Sequence, residues 1–171
     1  NGENLFLDGD RWDARYRPLA MAIQPFLIGR PPAGSDTPQV HVDMAHPRIA
    51  HGQDGSALFD ESGRPTPLLE AAAGKVGDLD HGYRQCPAFF AALERHDLLE
   101  PFTLDVPLDN GARHSLVGYH VIAEDRLTAL DGGALGELQL EGHLLPIFMA
   151  VASLGRFADL VARKNARIAL G

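Results

Sequence analysis

Hydrophobic and polar positions alternate most clearly in two stretches that a tight turn separates. Residues 102–108 alternate with a period of two, residues 115–122 form a second such run, and Asp109, Asn110 and Gly111 lie between them. Alternation of this kind is typical of half-buried strands, and an Asn-Gly pair favours a hairpin turn. The pattern therefore predicts an antiparallel hairpin over residues 102–122.

Two further strands are predicted at residues 26–29 and 39–44. In the second of these, Val40 and Val42 fall on one face while His41 and Asp43 fall on the other, because successive side chains of a strand point to opposite sides. We therefore expect the histidine and the aspartate to be neighbours.

Proline and glycine mark the predicted ends of two helices. Pro67 suits the first turn of a helix that we expect to end near Gly74 or Gly77. Pro87 suits the first turn of a second helix, which we expect to end near Leu99. The sequence thus predicts two separate helices in this region.

The last third of the chain has a helical period. Short helices are predicted over residues 125–130 and 134–140, and apolar residues then recur at intervals of three and four from Leu144 to Val161. This spacing predicts a C-terminal amphipathic helix, interrupted or bent at Gly155. Together the elements predict an α+β fold in which a small, mainly antiparallel sheet packs against helices, as one domain over the whole chain.

Composition narrows the function classes. The chain has 15 Lys and Arg against 23 Asp and Glu, a net charge of −8, which disfavours a nucleic-acid partner. Cys86 is the single cysteine, so the chain has no intrachain disulfide and no multi-cysteine metal site. No apolar stretch reaches the roughly 20 residues of a membrane-spanning helix, so we expect no transmembrane segment.

Three blocks of the sequence resemble the bacterial SapC-like family. The first has GENLFL at 2–7, GDRW at 9–12, YRP at 16–18 and PF at 25–26, and the second is ALFDESGRPT at 57–66. The third begins with AFF at 88–90, LLEPF at 98–102 and LVGY at 116–119, and continues through the C-terminal helix. The order and spacing of the blocks carry the resemblance over most of the chain.

The resemblance implies an association with a bacterial surface layer, and it separates the chain from the peptide-transport permease of similar name. It supplies no catalytic residues. Family members usually carry a basic-aromatic run before Pro-Phe, whereas this chain has MAIQ at 21–24. They also extend further before the first block, so we expect the sequence to lack an N-terminal portion.

One candidate metal site lies in the strand at residues 39–44. His41 and Asp43, joined by a distant third histidine, would match the two-histidine and one-carboxylate set that holds Fe(II) in oxygenases. His120 is our choice of third ligand; the alternatives are His46, His51, His114 and His143. A polar, solvent-facing strand side explains the same three-residue pattern, so this Fe(II) enzyme is the alternative hypothesis.

The candidate ligand or partner surface consists of Trp12, Tyr16 and Phe26, because aromatic side chains offer a large contact area and those of Trp12 and Tyr16 add a polar group. The competing interpretation is that they cover one end of the core. The leading functional hypothesis is a non-catalytic binding or accessory protein of a bacterial surface-layer or uptake system, with no cofactor. The sequence leaves open whether the partner is a protein or a small molecule, and whether this soluble chain is cytoplasmic or exported.

Overall fold

The structure is a computed structural model that describes residues 3–30, 39–50, 52 and 54–170. Contacts divide the chain into two compact units. We call residues 14–86 the central unit, and residues 1–13 together with 87–171 the terminal unit. The expected single domain over the whole chain stays a prediction.

The strands come in consecutive pairs, and helices separate one pair from the next. In chain order they are β1 (Leu7–Asp8), β2 (Arg11–Trp12), α1 (Leu19–Ala22), β3 (Phe26–Gly29), β4 (Gln39–Val42), α2 (Pro67–Arg95), β5 (Leu99–Pro107), β6 (Arg113–Ile122), α3 (Glu124–Thr128), α4 (Gly132–Leu140), α5 (Leu144–Ser153), a 3-10 turn (Leu154–Arg156) and α6 (Phe157–Leu170). The strands form three antiparallel pairs, β1 with β2, β3 with β4 and β5 with β6. The predicted α+β class is confirmed, with small antiparallel sheets and a helical C-terminal segment.

The central unit is built on the β3–β4 pair. Phe26 lies opposite Val42 and Ile28 opposite Val40. Its core consists of four buried residues, Ile23, Phe26, Ala72 and Val76, and the side chains of Ile28, Val40 and Val42 pack against them. The predicted strand at 26–29 is confirmed, whereas the next strand ends at Val42, two residues before the expected end.

The prediction of two helices between residues 67 and 99 is wrong, because α2 runs without a break from Pro67 to Arg95. Gly74 and Gly77 do not adopt the positive φ with which a glycine usually ends a helix. Each costs about 1 kcal/mol relative to alanine without ending the helix. Pro87 lies inside the helix and removes one backbone hydrogen bond there.

Helix α2 ends instead in a left-handed turn at Asp97, whose φ is 51°. The Leu98 amide donates to the Leu93 carbonyl at 2.8 Å and the Asp97 amide donates to the Glu94 carbonyl at 3.1 Å. This pair of bonds is the Schellman motif. The motif turns the chain directly into β5 at Leu99.

The predicted hairpin is confirmed and is longer than expected. Strands β5 and β6 pair from Leu99 opposite Ile122 to Pro107 opposite Arg113. Phe102 lies opposite Tyr119 whereas Leu104 lies opposite Leu116, so β6 carries one extra residue in this interval. The extra residue is accommodated at Gly118, where φ is +82°.

The core of the terminal unit joins helices and hairpin. Its buried residues are Ala92, Leu93, Leu98, Ile122, Leu127, Leu138 and Ile147. Leu138 comes from α4 and Ile147 from α5, so each of these two helices contributes one buried side chain to the core. Fully burying one such aliphatic side chain stabilises a protein by about 1.5–3 kcal/mol.

The C-terminal segment is interrupted at Gly155, as predicted, because the 3-10 turn separates α5 from α6. The apolar spacing from Leu144 to Val161 includes Phe148, yet the buried residue of α5 is its neighbour Ile147, and Phe148 is half exposed. Residues Leu144–Leu170 are long and apolar enough to cross a membrane by length and composition, with a mean hydropathy of 1.7 over the most apolar window. The absence of a transmembrane segment stays a prediction.

Candidate functional site

An open cleft of about 890 Å³ lies in the central unit. Its walls come from the end of α1, the β3–β4 pair, the first three turns of α2 and residues 44–50, 52 and 55–58. Most of the lining side chains are apolar, including Ile23, Phe26, Val42, Met44, Ile49, Leu58 and Leu68. The cleft thus has the volume and the apolar lining of a small-molecule site, which typically occupies 300–1,000 Å³.

One face of α2 forms a wall of the cleft. Leu68, Ala71, Ala72 and Lys75 all line it. These positions are three and four residues apart, and residues with this spacing lie on the same side of a helix. Ala72 is buried against the core, whereas Leu68 remains 46% exposed. The face therefore anchors the helix and also presents apolar surface to the cleft.

Among the described residues, two charged side chains line the cleft, and both are cations, Arg48 and Lys75. Arg48 Nη1 donates a hydrogen bond of 2.9 Å to the carbonyl oxygen of Gln24, so the guanidinium is held at the wall. Within the described part of the chain, neither cation forms an ion pair with an acidic side chain. The cleft is thus locally cationic in a chain of net charge −8.

The three aromatic residues predicted as a ligand or partner surface lie in different settings. Phe26 is 8% exposed and belongs to the core of the central unit, and it also lines the cleft. Tyr16, in the same unit, is 74% exposed. Trp12 belongs to the terminal unit, where its ring centroid lies 5.8 Å from that of Phe6. Of the three, Phe26 is the one that the structure places in the cleft.

The predicted metal residues are divided between the two units. His41 lies on β4 opposite Leu27, and Asp43 follows directly after that strand. Both are exposed while Val40 and Val42 pack on the core, so the predicted alternation is confirmed. His120 lies on β6 in the terminal unit, opposite Pro101.

The side chains of His41 and Asp43 both have local contacts. His41 Nε2 lies 3.4 Å from Gln39 Oε1, and Asp43 Oδ1 accepts a hydrogen bond of 3.0 Å from the Ala45 amide. Among the described residues, no group of three or more His, Cys, Asp or Glu side chains could hold a metal ion. His51 lies outside the described residues. Fe(II) binding at His41, Asp43 and His120 stays a prediction.

A second cavity, of about 340 Å³, lies in the terminal unit between the N-terminal segment, the hairpin and α6. Its lining includes Leu5, Leu116 and Phe157. The carboxylate of Glu3 and the ammonium of Lys164, which also line it, are hydrogen-bonded to each other. Because its charges are already paired, this cavity offers an incoming ion less than the larger cleft does.

Sequence reasoning missed Arg48 and Lys75. The spacing of Leu68, Ala71, Ala72 and Lys75 was available as a signal for a helical face with one cation at its end. No periodic signal marks Arg48, because it lies outside the regular elements. Arg48 lies in the cleft because the segment after β4 comes close to Gln24, whose carbonyl oxygen accepts the hydrogen bond from the Arg48 guanidinium.

Comparison with known proteins identifies the family of this α+β chain. The family model of SapC matches residues 1–160. The chain therefore belongs to the SapC family, and the resemblance of its three sequence blocks is confirmed. No curated protein and no solved structure matches the chain.

Proposed function

We propose that the chain is a binding or accessory protein of a bacterial surface-layer or uptake system and that it acts by holding a ligand in the cleft of the central unit. Membership of the SapC family supports the surface-layer association. The observation that carries the binding role is the cleft itself, with about 890 Å³ of volume and a mainly apolar lining. Small-molecule sites have this character, with a few polar groups that orient the ligand.

Binding in the cleft is tested by filling it. Ala71 lies on the cleft face of α2 and is exposed, so Ala71→Trp places an indole in the cleft without enlarging a core residue. Ala91 is an exposed alanine of the same helix that does not line the cleft, so Ala91→Trp is the matched control. The probe is the neutral dye N-phenylnaphthylamine, whose fluorescence rises in apolar surroundings.

The parent protein and Ala91→Trp are expected to enhance the dye fluorescence with the same midpoint, whereas Ala71→Trp is expected to lose most of the enhancement. Enhancement that Ala71→Trp leaves unchanged would place the dye elsewhere and contradict binding in the cleft. No enhancement by the parent protein would contradict the binding role directly.

The accessory role is tested in the cell. We expect fractionation of a bacterium that expresses the chain to recover it with the cell envelope or with exported proteins. Recovery exclusively in the cytoplasmic fraction would contradict the surface-layer or uptake association, and it would leave binding in the cleft to be judged by the dye experiment.

A further inference from the structure

We infer that the ligand of the cleft is an amphipathic anion, an extended apolar chain that ends in a carboxylate, with Arg48 and Lys75 binding its headgroup. This inference rests on the proposed binding role and names the chemical class of the ligand. It follows from the composition of the lining and from the state of the two cations.

The apolar part of the ligand is indicated by the floor and walls. Ile23 and Phe26 are buried at 5% and 8% exposure, and Leu68 and Met44 remain 46% and 64% exposed beside them. Exposed apolar surface next to a core is stabilised when an apolar group covers it, by roughly 25 cal/mol per Å² removed from water. An alkyl chain is the simplest group that would cover such a surface.

The anionic part of the ligand is indicated by the two cations. Arg48 is held at the wall by its bond to the Gln24 carbonyl, which uses one of the five guanidinium N–H donors. Lys75 lies at the end of the cleft face of α2. No acidic side chain is among the described residues that line the cleft, so a carboxylate arriving there would meet attraction without competition.

A neutral or cationic amphiphile fits this arrangement less well. A cationic headgroup would be repelled by both side chains. A neutral headgroup would leave the two charges beside an occupied, less hydrated cleft, where an unpaired charge costs free energy. Hydrogen bonds that involve a charged group are stronger than those between neutral groups, so the charge of the headgroup is expected to dominate selection.

The experiment compares four ligands of equal chain length, dodecanoate, dodecyl phosphate, dodecanol and dodecyltrimethylammonium, each below its micelle concentration. Binding is measured by calorimetry and by displacement of N-phenylnaphthylamine from the full chain. We expect dodecanoate to bind about tenfold or more tightly than dodecanol. Dodecyltrimethylammonium is expected to bind most weakly, and added salt is expected to weaken dodecanoate but not dodecanol.

Substitutions of the two cations test whether they bind the headgroup of the ligand. Lys75→Gln and Arg48→Gln are each expected to weaken dodecanoate by about tenfold and to leave dodecanol unchanged. Arg48→Lys retains the charge and is expected to restore part of the affinity even if the bond to Gln24 is lost. Arg84→Gln is the matched control, because Arg84 is a cation of α2 that pairs with Asp80 and does not line the cleft.

The outcomes separate the two proposals. Equal affinity for dodecanoate and dodecanol, unaffected by the Arg48 and Lys75 variants, would overturn the anionic ligand while the binding role stands. Binding of dodecyl phosphate but not dodecanoate would overturn the carboxylate in favour of a phosphate headgroup. No binding of any probe, the dye included, would overturn the proposed function together with this inference.

Discussion

Arg163 on α6 donates a hydrogen bond of 2.9 Å to the carboxylate of Asp13, which lies 150 residues earlier in the chain. The same guanidinium lies over the ring of Phe6, 5.4 Å from its centroid. Arg167, one turn further along α6, donates to the carbonyl oxygens of Asn4 and Leu7. The basic residues of the last helix therefore bind the first residues of the chain within the terminal unit.

The sequence suggests a different role for these cations, because Lys and Arg near a helix C-terminus usually complement its dipole. In the structure their hydrogen bonds go to the N-terminal segment instead. GENLFL, which opens the first block by which the chain resembles its family, contains Glu3 and Asn4, and Arg167 binds both. These contacts join residues 3–13 to the last helix within the terminal unit.

The first prediction concerns pH. Hydrogen bonds from Lys164 and then Arg167 lower the pKa of Glu3 below its usual value of 4.5. A carboxyl whose pKa is lower in the folded state stabilises the fold above its unfolded pKa, and this stabilisation is lost as the pH falls through the folded value. We expect an NMR titration of the Glu3 carboxyl to give a pKa below 4.5.

Glu3→Gln supplies the control for that titration. The stability difference between the parent and Glu3→Gln, from urea unfolding, is expected to be present at neutral pH and to disappear in acid below the folded pKa of Glu3. A difference that stays constant across this range would show that the charge of Glu3 does not contribute.

The second prediction concerns the bulge of the hairpin. Gly118 adopts a φ of +82° in open space, so Gly118→Ala meets no clash but places a side chain in the left-handed region. We expect it to lower the free energy of unfolding by about 1 kcal/mol. Chemical denaturation measures this change.

A matched glycine, Gly136, is expected to change the free energy of unfolding in the opposite direction. Gly136 lies inside α4, also with no neighbour near an added Cβ, and its φ is not positive. Gly136→Ala is expected to stabilise by about 0.5–1 kcal/mol, because alanine is the better helix former. Equal effects of the two substitutions on stability would contradict the explanation that the backbone φ of each glycine causes the difference.

The third prediction concerns Trp12. Its side chain is half-buried and packs beside Phe6. Trp12→Ala is therefore expected to cost about 2 kcal/mol, less than the roughly 3–5 kcal/mol of a fully buried large aromatic. Trp12→Phe keeps the ring contact and is expected to recover most of the loss. An unchanged denaturation midpoint for Trp12→Ala would contradict a packing role.

The fourth prediction concerns metal. His41 Nε2 lies next to Gln39 and Asp43 bonds the Ala45 amide, so both side chains have structural partners. We expect calorimetric titration with Fe(II) to show no tight site, and His41→Ala and Asp43→Ala each to change stability by less than about 1 kcal/mol. Micromolar or tighter Fe(II) binding that both substitutions abolish would favour the alternative enzyme.

Local pattern in the sequence determined much of the secondary structure. The alternation on either side of Asn110 and Gly111 predicts the β5–β6 hairpin, and the alternation of β4 separates Val40 and Val42 from His41. These signals are reliable because each depends on neighbours within a few residues. Pro87 and the glycines of α2 misled the same reasoning, since a glycine ends a helix only where its φ becomes positive, and tertiary contacts decide that.

The tertiary structure alone decided the candidate site. Phe26, Arg48 and Lys75 line one cleft although they come from a strand, an irregular segment and a helix. No short-range pattern links them, because their proximity follows from burying Ile23, Phe26, Ala72 and Val76 in one core. The sequence by itself determined which segments become strands and helices and which family the chain resembles. The packing of those segments brought an apolar surface and two cations into the lining of one cleft.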